Sequence, residues 1–180
     1  MKSAVFVNGV PASGKSSVAR ALAAETGWPL LGLDTIKEAF FHHLGTGDRA
    51  YNRTLGKSAY EAIFALVAEF PVGSHVIVDA WFGFQPVDVL AAHVEKAGLK
   101  KIVEVWCHAP PEIIGERYLS RVPARPSGHL GAEYVSELMA LASQAKPLGG
   151  FPLIEVDTSQ PVAIHKIADG ARQLLNRSAG

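Results

Sequence analysis

The sequence predicts an α/β protein with a mainly parallel sheet, and three observations carry that expectation. Short apolar, strand-like runs alternate with helical runs along the whole chain. The segment Gly9-Val10-Pro11-Ala12-Ser13-Gly14-Lys15-Ser16 fits G-x-x-x-x-G-K-[ST], the P-loop pattern that cradles nucleotide phosphates. The segment also has the required context, a β-prone run before it and a helical run after it.

In order, Ala4-Val5-Phe6-Val7 is apolar and β-prone and predicts a strand over 4–8. After the loop, Ser17-Val18-Ala19-Arg20-Ala21-Leu22-Ala23-Ala24-Glu25 reads as helix, over 15–26 in all. A strand over 30–33 leads into helices over 35–44 and 51–70, parted by the loop Gly45-Thr46-Gly47-Asp48. Val76-Ile77-Val78-Asp79 marks a strand over 75–79, with a helix over 86–97 behind it. The apolar run 102–107 reads as the fourth strand and 111–121 as the next helix. Segment 122–131 is rich in proline and glycine and poor in apolar residues, which predicts a mobile surface piece of the kind that serves as a lid. A helix over 132–145, a loop at Gly149-Gly150, a strand over 153–156 and a helix over 162–175 complete the pattern. Strands separated by helices make βαβ units, hence parallel pairing.

The chain has 180 residues, 48% hydrophobic and 19% charged, an ordinary globular composition expected to form a single domain over 1–180. Basic and acidic residues number 17 each, which argues against an extended nucleic-acid surface, since such surfaces carry a basic excess. The one cysteine, Cys107, excludes an intramolecular disulfide and ends an apolar run, so a buried structural thiol is expected there. No apolar stretch approaches membrane-spanning length, and the chain enters a strand within a few residues of Met1. A cytoplasmic protein without a membrane partner is the expectation.

Each residue type in the loop has a physical reason. Gly9 and Gly14 let the backbone fold around phosphates without a Cβ in the way. The loop N–H groups form an anion nest, and the following helix N-terminus adds partial positive charge. Lys15 brings a point charge to the β- and γ-phosphates, and the Ser16 hydroxyl is positioned for Mg²⁺. Pro11, Ala12, Ser13 and Ser17 complete the nucleotide-binding set.

In an open parallel sheet, ligands bind beyond the carboxyl ends of the strands. Past the second strand lies Asp34, which reads as a catalytic base for an attacking hydroxyl and equally as an N-cap for a helix beginning at Thr35. Past the third lies Asp79, which reads as a Mg²⁺ holder or as a turn aspartate. Past the fourth lie His108 and a helix carrying Arg117 and Arg121, four residues apart and so on one face, with Arg125 beyond Pro123. These arginines read as groups that close on a transferring phosphoryl or as a solvated basic face. Asp157 and Thr158 follow the fifth strand. Trp81, Phe82 and Phe84 divide between core and pocket. Lys37, His42, His43 and Arg53 could face an acceptor, although surface positions are expected for each. The paired histidines lack a further Cys/His cluster, so no zinc site is expected.

The chain resembles the P-loop small-molecule kinases, and among them the chloramphenicol phosphotransferase-like group. The resemblance rests on Asn8 to Ser17, on Trp28-Pro29-Leu30-Leu31-Gly32-Leu33-Asp34-Thr35-Ile36, on Val76-Ile77-Val78-Asp79 and on Glu155-Val156-Asp157-Thr158. It implies a three-layer αβα P-loop NTPase fold, nucleoside-kinase-like, with five parallel strands in the order 2-3-1-4-5. It further implies ATP, Mg²⁺ and phosphoryl transfer to a hydroxyl, with Asp34 as base. The family's lid arginines correspond loosely to Arg117, Arg121 and Arg125, within a lid at about 117–131. Asp157-Thr158 is similar to the segment that borders adenine. The acceptor-binding region, about 37–70, has no match to that group, so the antibiotic substrate does not transfer.

The function expected is therefore an ATP-dependent kinase of a small hydroxylated molecule. Polynucleotide kinases and zeta-toxin-type sugar-nucleotide kinases share the loop and a post-strand Asp, so a nucleic-acid 5′-hydroxyl or a nucleotide sugar is the first alternative acceptor. An ATP-bound regulatory switch without an acceptor is the second. A GTPase is disfavoured by the lack of an N-K-x-D segment.

Overall fold

The computed structural model describes residues 1–177. Strands β1 (Lys2–Asn8), β2 (Leu30–Gly32), β3 (His75–Asp79), β4 (Leu99–His108) and β5 (Leu153–Asp157) alternate with helices. The helices are α1 (Lys15–Thr26), α2 (Leu33–Leu44), α3 (Arg49–Glu69), α4 (Val87–Lys96), α5 (Pro111–Arg121), α6 (Val135–Gln144) and α7 (Ile164–Asn176). All strands pair in parallel, in the order β2-β3-β1-β4-β5, the P-loop kinase arrangement.

Alternation along β1 builds both faces of the sheet. Ala4 and Phe6 point to one side, where Tyr60 and Phe64 of α3 and Leu90 of α4 cover them. Val5 and Val7 point to the other, against Leu22 of α1 and Ile167 of α7. A third cluster, Val10, Ile114, Tyr118 and Leu138, seats α5 and α6 beside the loop after β1. Cys107 is fully buried, and burial pushes its thiol up to about 12, so it stays protonated and structural.

The structure differs from the sequence expectations at several boundaries. β4 spans ten residues, because Leu99 and the lysines that follow it continue the pairing with β1. A 3₁₀ turn, Ala132–Tyr134, precedes α6, so the regular helix begins later than residue 132. β2 stops at Gly32, an extended N-cap, and α2 starts at Leu33. Asp34 is thus the second residue of the helix and is not its cap; no side chain caps α2.

Segment 122–131 is docked rather than free. The Tyr118 hydroxyl donates to the Leu130 carbonyl, Arg125 bonds His129 at 2.9 Å, and His129 bonds Glu38 of α2 at 2.8 Å. Gly128, at φ +103, lies so close to Phe41 and Thr46 that a Cβ there would overlap both side chains. Low apolar content suggested freedom, but pairing with charged groups on α2 holds the segment instead.

Candidate functional site

The loop between β1 and α1 is shaped by backbone needs. Gly14 has φ +85, a left-handed conformation, and a Cβ there would press on the Thr158 side chain at 3.0 Å. A Cβ on Gly9 would overlap the Cys107 carbonyl and Ser13 Oγ. Ala12 also takes a left-handed φ of 63, rare for an L-residue and a form of strain that clusters at functional turns. The N–H groups of Lys15 and Ser16 begin α1 without intrahelical partners, and no side chain caps them.

A buried network holds this loop in place. Asn8 Nδ2 donates to Glu104 Oε1 at 2.8 Å, while Asn8 Oδ1 accepts from the N–H of Gly9 at 2.8 Å and of Phe82 at 3.1 Å. One side chain thus ties the start of the loop to the segment after β3. Glu104 also accepts from Leu148 N at 3.0 Å. Burial pushes the Glu104 carboxyl up, against the bonds from Asn8 and Leu148. Asn8 and Glu104 went unassigned in the sequence, since a carboxylate inside an apolar strand carries no motif.

Beyond the loop opens a cleft of about 470 Å³, within the range of small-molecule pockets. Lys15, Ser16, Asp34 and Asp79 all line it. Asp34 lines the cleft with about half of its side-chain surface exposed. Burial pushes its carboxyl up, but Lys15 first, with Arg125 and Lys37, outweighs that and holds it below the usual carboxylate range. Arg125 reaches it at 3.7 Å.

Asp79 is buried, and its Oδ1 has no hydrogen-bond partner. Burial pushes its carboxyl up, opposed by Lys15 and the Ser16 hydroxyl. A desolvated carboxylate oxygen left unpaired beside a hydroxyl is costly without a cation, so the residues present fit Mg²⁺.

The three arginines part ways. Arg117 donates to the Thr158 hydroxyl at 3.0 Å and to its carbonyl at 2.7 Å, bracing the β5 loop. The Thr158 hydroxyl in turn donates to Ser13 O at 2.7 Å, so Thr158 clamps the phosphate loop. Arg121 lines a cavity with Lys15, Ser16 and Arg20. Burial, then the guanidinium groups of Arg117, Arg125 and Arg20, push Arg121 below the ordinary arginine value. Arg125 faces Asp34 instead. Arg20 was missed in the sequence because its place beside the loop depends on helical rotation of α1. Asp157 is exposed and accepts both the N–H and hydroxyl of Ser159, which hold its carboxyl low. Thr158, Arg117 and Val162 line a separate cavity on the far side of the loop.

The remaining candidates divide as well. Phe82 stacks on Phe6 at 4.6 Å in the core, whereas Trp81 and Phe84 line the cleft. Lys37 and Arg53 also line it, because α2 and α3 pack side by side; Arg53 is exposed, as expected, and Lys37 is half-buried. His42 and His43 are exposed and lie outside it. Tyr118, His129 and Tyr134 join the lining from α5 and the segments that follow.

A parallel sheet in this order, a phosphate loop and a carboxylate across the cleft agree with the sequence comparison, in which the profile of the AAA domain family matches residues 5–145. The chain belongs to that family. It is 29% identical to a protein from Chloroflexus aurantiacus J-10-fl provisionally described as a kinase, with a TM-score of 0.83 over 97% of this chain and 99% of that one. Its fold is shared with a gluconokinase from Sinorhizobium meliloti 1021, at 23% identity and TM-score 0.58 over 97% and 91% of the chains. It is also shared with a shikimate kinase from Acinetobacter baumannii in complex with shikimate, at 17% identity and TM-score 0.62 over 97% and 93%. No curated protein matches the chain. Family and neighbours together show an α/β P-loop fold shared with small-molecule kinases. Among the described residues, no helix is long and apolar enough to cross a membrane.

Proposed function

We propose that this chain transfers the γ-phosphate of ATP to a hydroxyl of a small molecule. The observation that carries the reading is the common cleft: Lys15 and Ser16 of the phosphate loop share its walls with the ionised carboxylate of Asp34. In this reading the loop N–H groups, Lys15, Arg20 and Arg121 hold the phosphates, and the apolar cavity beside Thr158 takes the base. Ser16 and Asp79 would hold Mg²⁺, which supplies charge neutralisation on the β- and γ-oxygens.

Asp34 accepts the hydroxyl proton and aims the acceptor oxygen at the γ-phosphorus. As the new O–P bond forms, the bond to the β-bridging oxygen breaks, ADP leaves with that electron pair, and the proton ends on Asp34. Its low pKa suits a loose transition state, in which the proton moves late and orientation matters most. Arg125 beside Asp34 is placed to meet the transferred phosphoryl, and the docked segment around it excludes water.

The test is ADP release from Mg-ATP across sugars, hydroxy acids, nucleosides, antibiotics including chloramphenicol, and 5′-hydroxyl oligonucleotides, with Asp34→Asn alongside. One small-molecule class should stimulate release, and Asp34→Asn should lower kcat by about 10²-fold or more with little change in the KM for ATP. Stimulation by oligonucleotides alone, or unchanged turnover in Asp34→Asn, would overturn the reading.

A further inference from the structure

We propose that the acceptor carries an anionic group, a carboxylate or a phosphate, bound by Lys37 and Arg53 about one helical turn from the hydroxyl that Asp34 receives. The inference rests on the kinase reading above and adds the chemical class of its substrate.

The cleft's charges divide into those with partners and those without. Lys15 belongs to the nucleotide phosphates. Arg49 is engaged by both oxygens of Glu137, at 2.7 and 3.3 Å, and Arg125 is engaged by Asp34 and His129. Glu133 accepts from Gly131 N. Lys37 and Arg53 remain. Among the described residues, no carboxylate forms an ion pair with either. The Lys37 ammonium lies 5.2 Å over the Phe41 ring, which does not neutralise it. Among the described residues, the only side-chain bond of Arg53 is to the Phe84 carbonyl at 3.5 Å, at the edge of hydrogen-bond range. Burial, foremost, pushes the Lys37 amine below its ordinary value, although Asp34 and Glu38 oppose that from beyond ion-pair distance.

The backbone brings these two cations to one place. Arg53 and Gly56 are three residues apart on α3 and so share a face. The Lys37 stem packs alongside Gly56, its Cε 3.7 Å from where a Cβ would stand, at ordinary contact distance. Asp34 and Lys37 are likewise three apart on α2, about 4.5 Å along the axis. Asp34 and Asp79 are balanced by Lys15 and Arg125, whereas Lys37 and Arg53 line the same cleft with no carboxylate at ion-pair distance among the described residues. A short molecule fits with its hydroxyl at Asp34 and its anionic group at Lys37 and Arg53, three or four bonds apart, its carbon frame on Trp81 and Phe84. A neutral polyol would leave the half-buried Lys37 and the more exposed Arg53 without an anionic partner.

Matched acceptors test this. Hydroxy acids are assayed against their uncharged amides, and sugar phosphates against the free sugars, with wild type, Lys37→Met and Arg53→Met. The expected result is that one anionic series exceeds its neutral partner in kcat/KM. Each variant should then lower kcat/KM for the anion by about 10- to 100-fold, the usual effect of losing a charged hydrogen bond, while the KM for ATP holds. Preference for the carboxylate or the phosphate series identifies which anion is bound. Equal use of anionic and neutral acceptors, or variants that leave their ratio unchanged, would overturn the inference and leave the kinase reading standing. No turnover with any acceptor of either charge would overturn the kinase reading, and this inference with it.

Discussion

Replacing Asn8 with alanine should destabilise the protein far more than its size suggests. The change removes three hydrogen bonds, to Glu104, Gly9 N and Phe82 N, in a part of the core from which water is excluded. Two buried N–H groups lose their acceptor, at about 1–3 kcal/mol each, and a buried carboxylate loses a donor. Water entering the vacated space would recover part of this. A loss of about 3–5 kcal/mol is expected, a large share of the stability of an ordinary domain.

The deficit should also grow with pH. Glu104 has a folded pKa raised above its ordinary 4.5, by burial first, and the bond from Asn8 restrains that rise. A raised carboxyl binds more protons when folded, so its contribution is present below the unfolded value and lost as pH climbs through the folded one. Without Asn8 the window of loss extends further upward. Denaturant unfolding of wild type and Asn8→Ala at pH 5 and pH 8 measures both effects. A deficit under about 1 kcal/mol at both pH values, within the range of an ordinary substitution, would refute the network's role.

Arg117 and Arg121 should separate stability from activity. Arg117→Ala should release Thr158 from the loop and lower thermal stability, whereas Arg121→Ala should leave stability within about 0.5 kcal/mol and weaken ATP binding; unfolding curves and ATP titrations of the two variants check this. His129 should make the docked segment pH-sensitive. Arg125 can only donate, so His129 Nδ1 accepts and its proton sits on Nε2 toward Glu38, a neutral ring. Burial, then Arg125 and also Lys37, push His129 below its ordinary 6.5, against Asp34 and Glu38. Docking is then complete above about pH 6.5 and lost as pH falls toward the folded value, by at most about 1.4 kcal/mol per pH unit. Hydrogen exchange over residues 122–131 should show that slope in wild type and not in His129→Gln.

The sequence alone determined the sheet, the phosphate loop and the acidic residues past β2 and β3. These features are local. Strand and helix periodicities, glycines at fixed spacing and residues at strand ends need no knowledge of what packs against what. Their neighbours were decided only by tertiary structure. The cap alternative for Asp34 arose because the end of a three-residue edge strand cannot be placed to one residue from pattern. Three arginines in one basic stretch look equivalent in sequence, yet one braces Thr158, one faces the loop and one faces Asp34. Segment 122–131 looked free because its partners, Glu38 and Phe41, lie on a helix some ninety residues earlier. That Lys37 and Arg53 share one cleft was not legible, because only the packing of α2 against α3 turns both toward it. Long-range contacts between helices leave no period in a sequence, and the outer wall of this cleft is built from them.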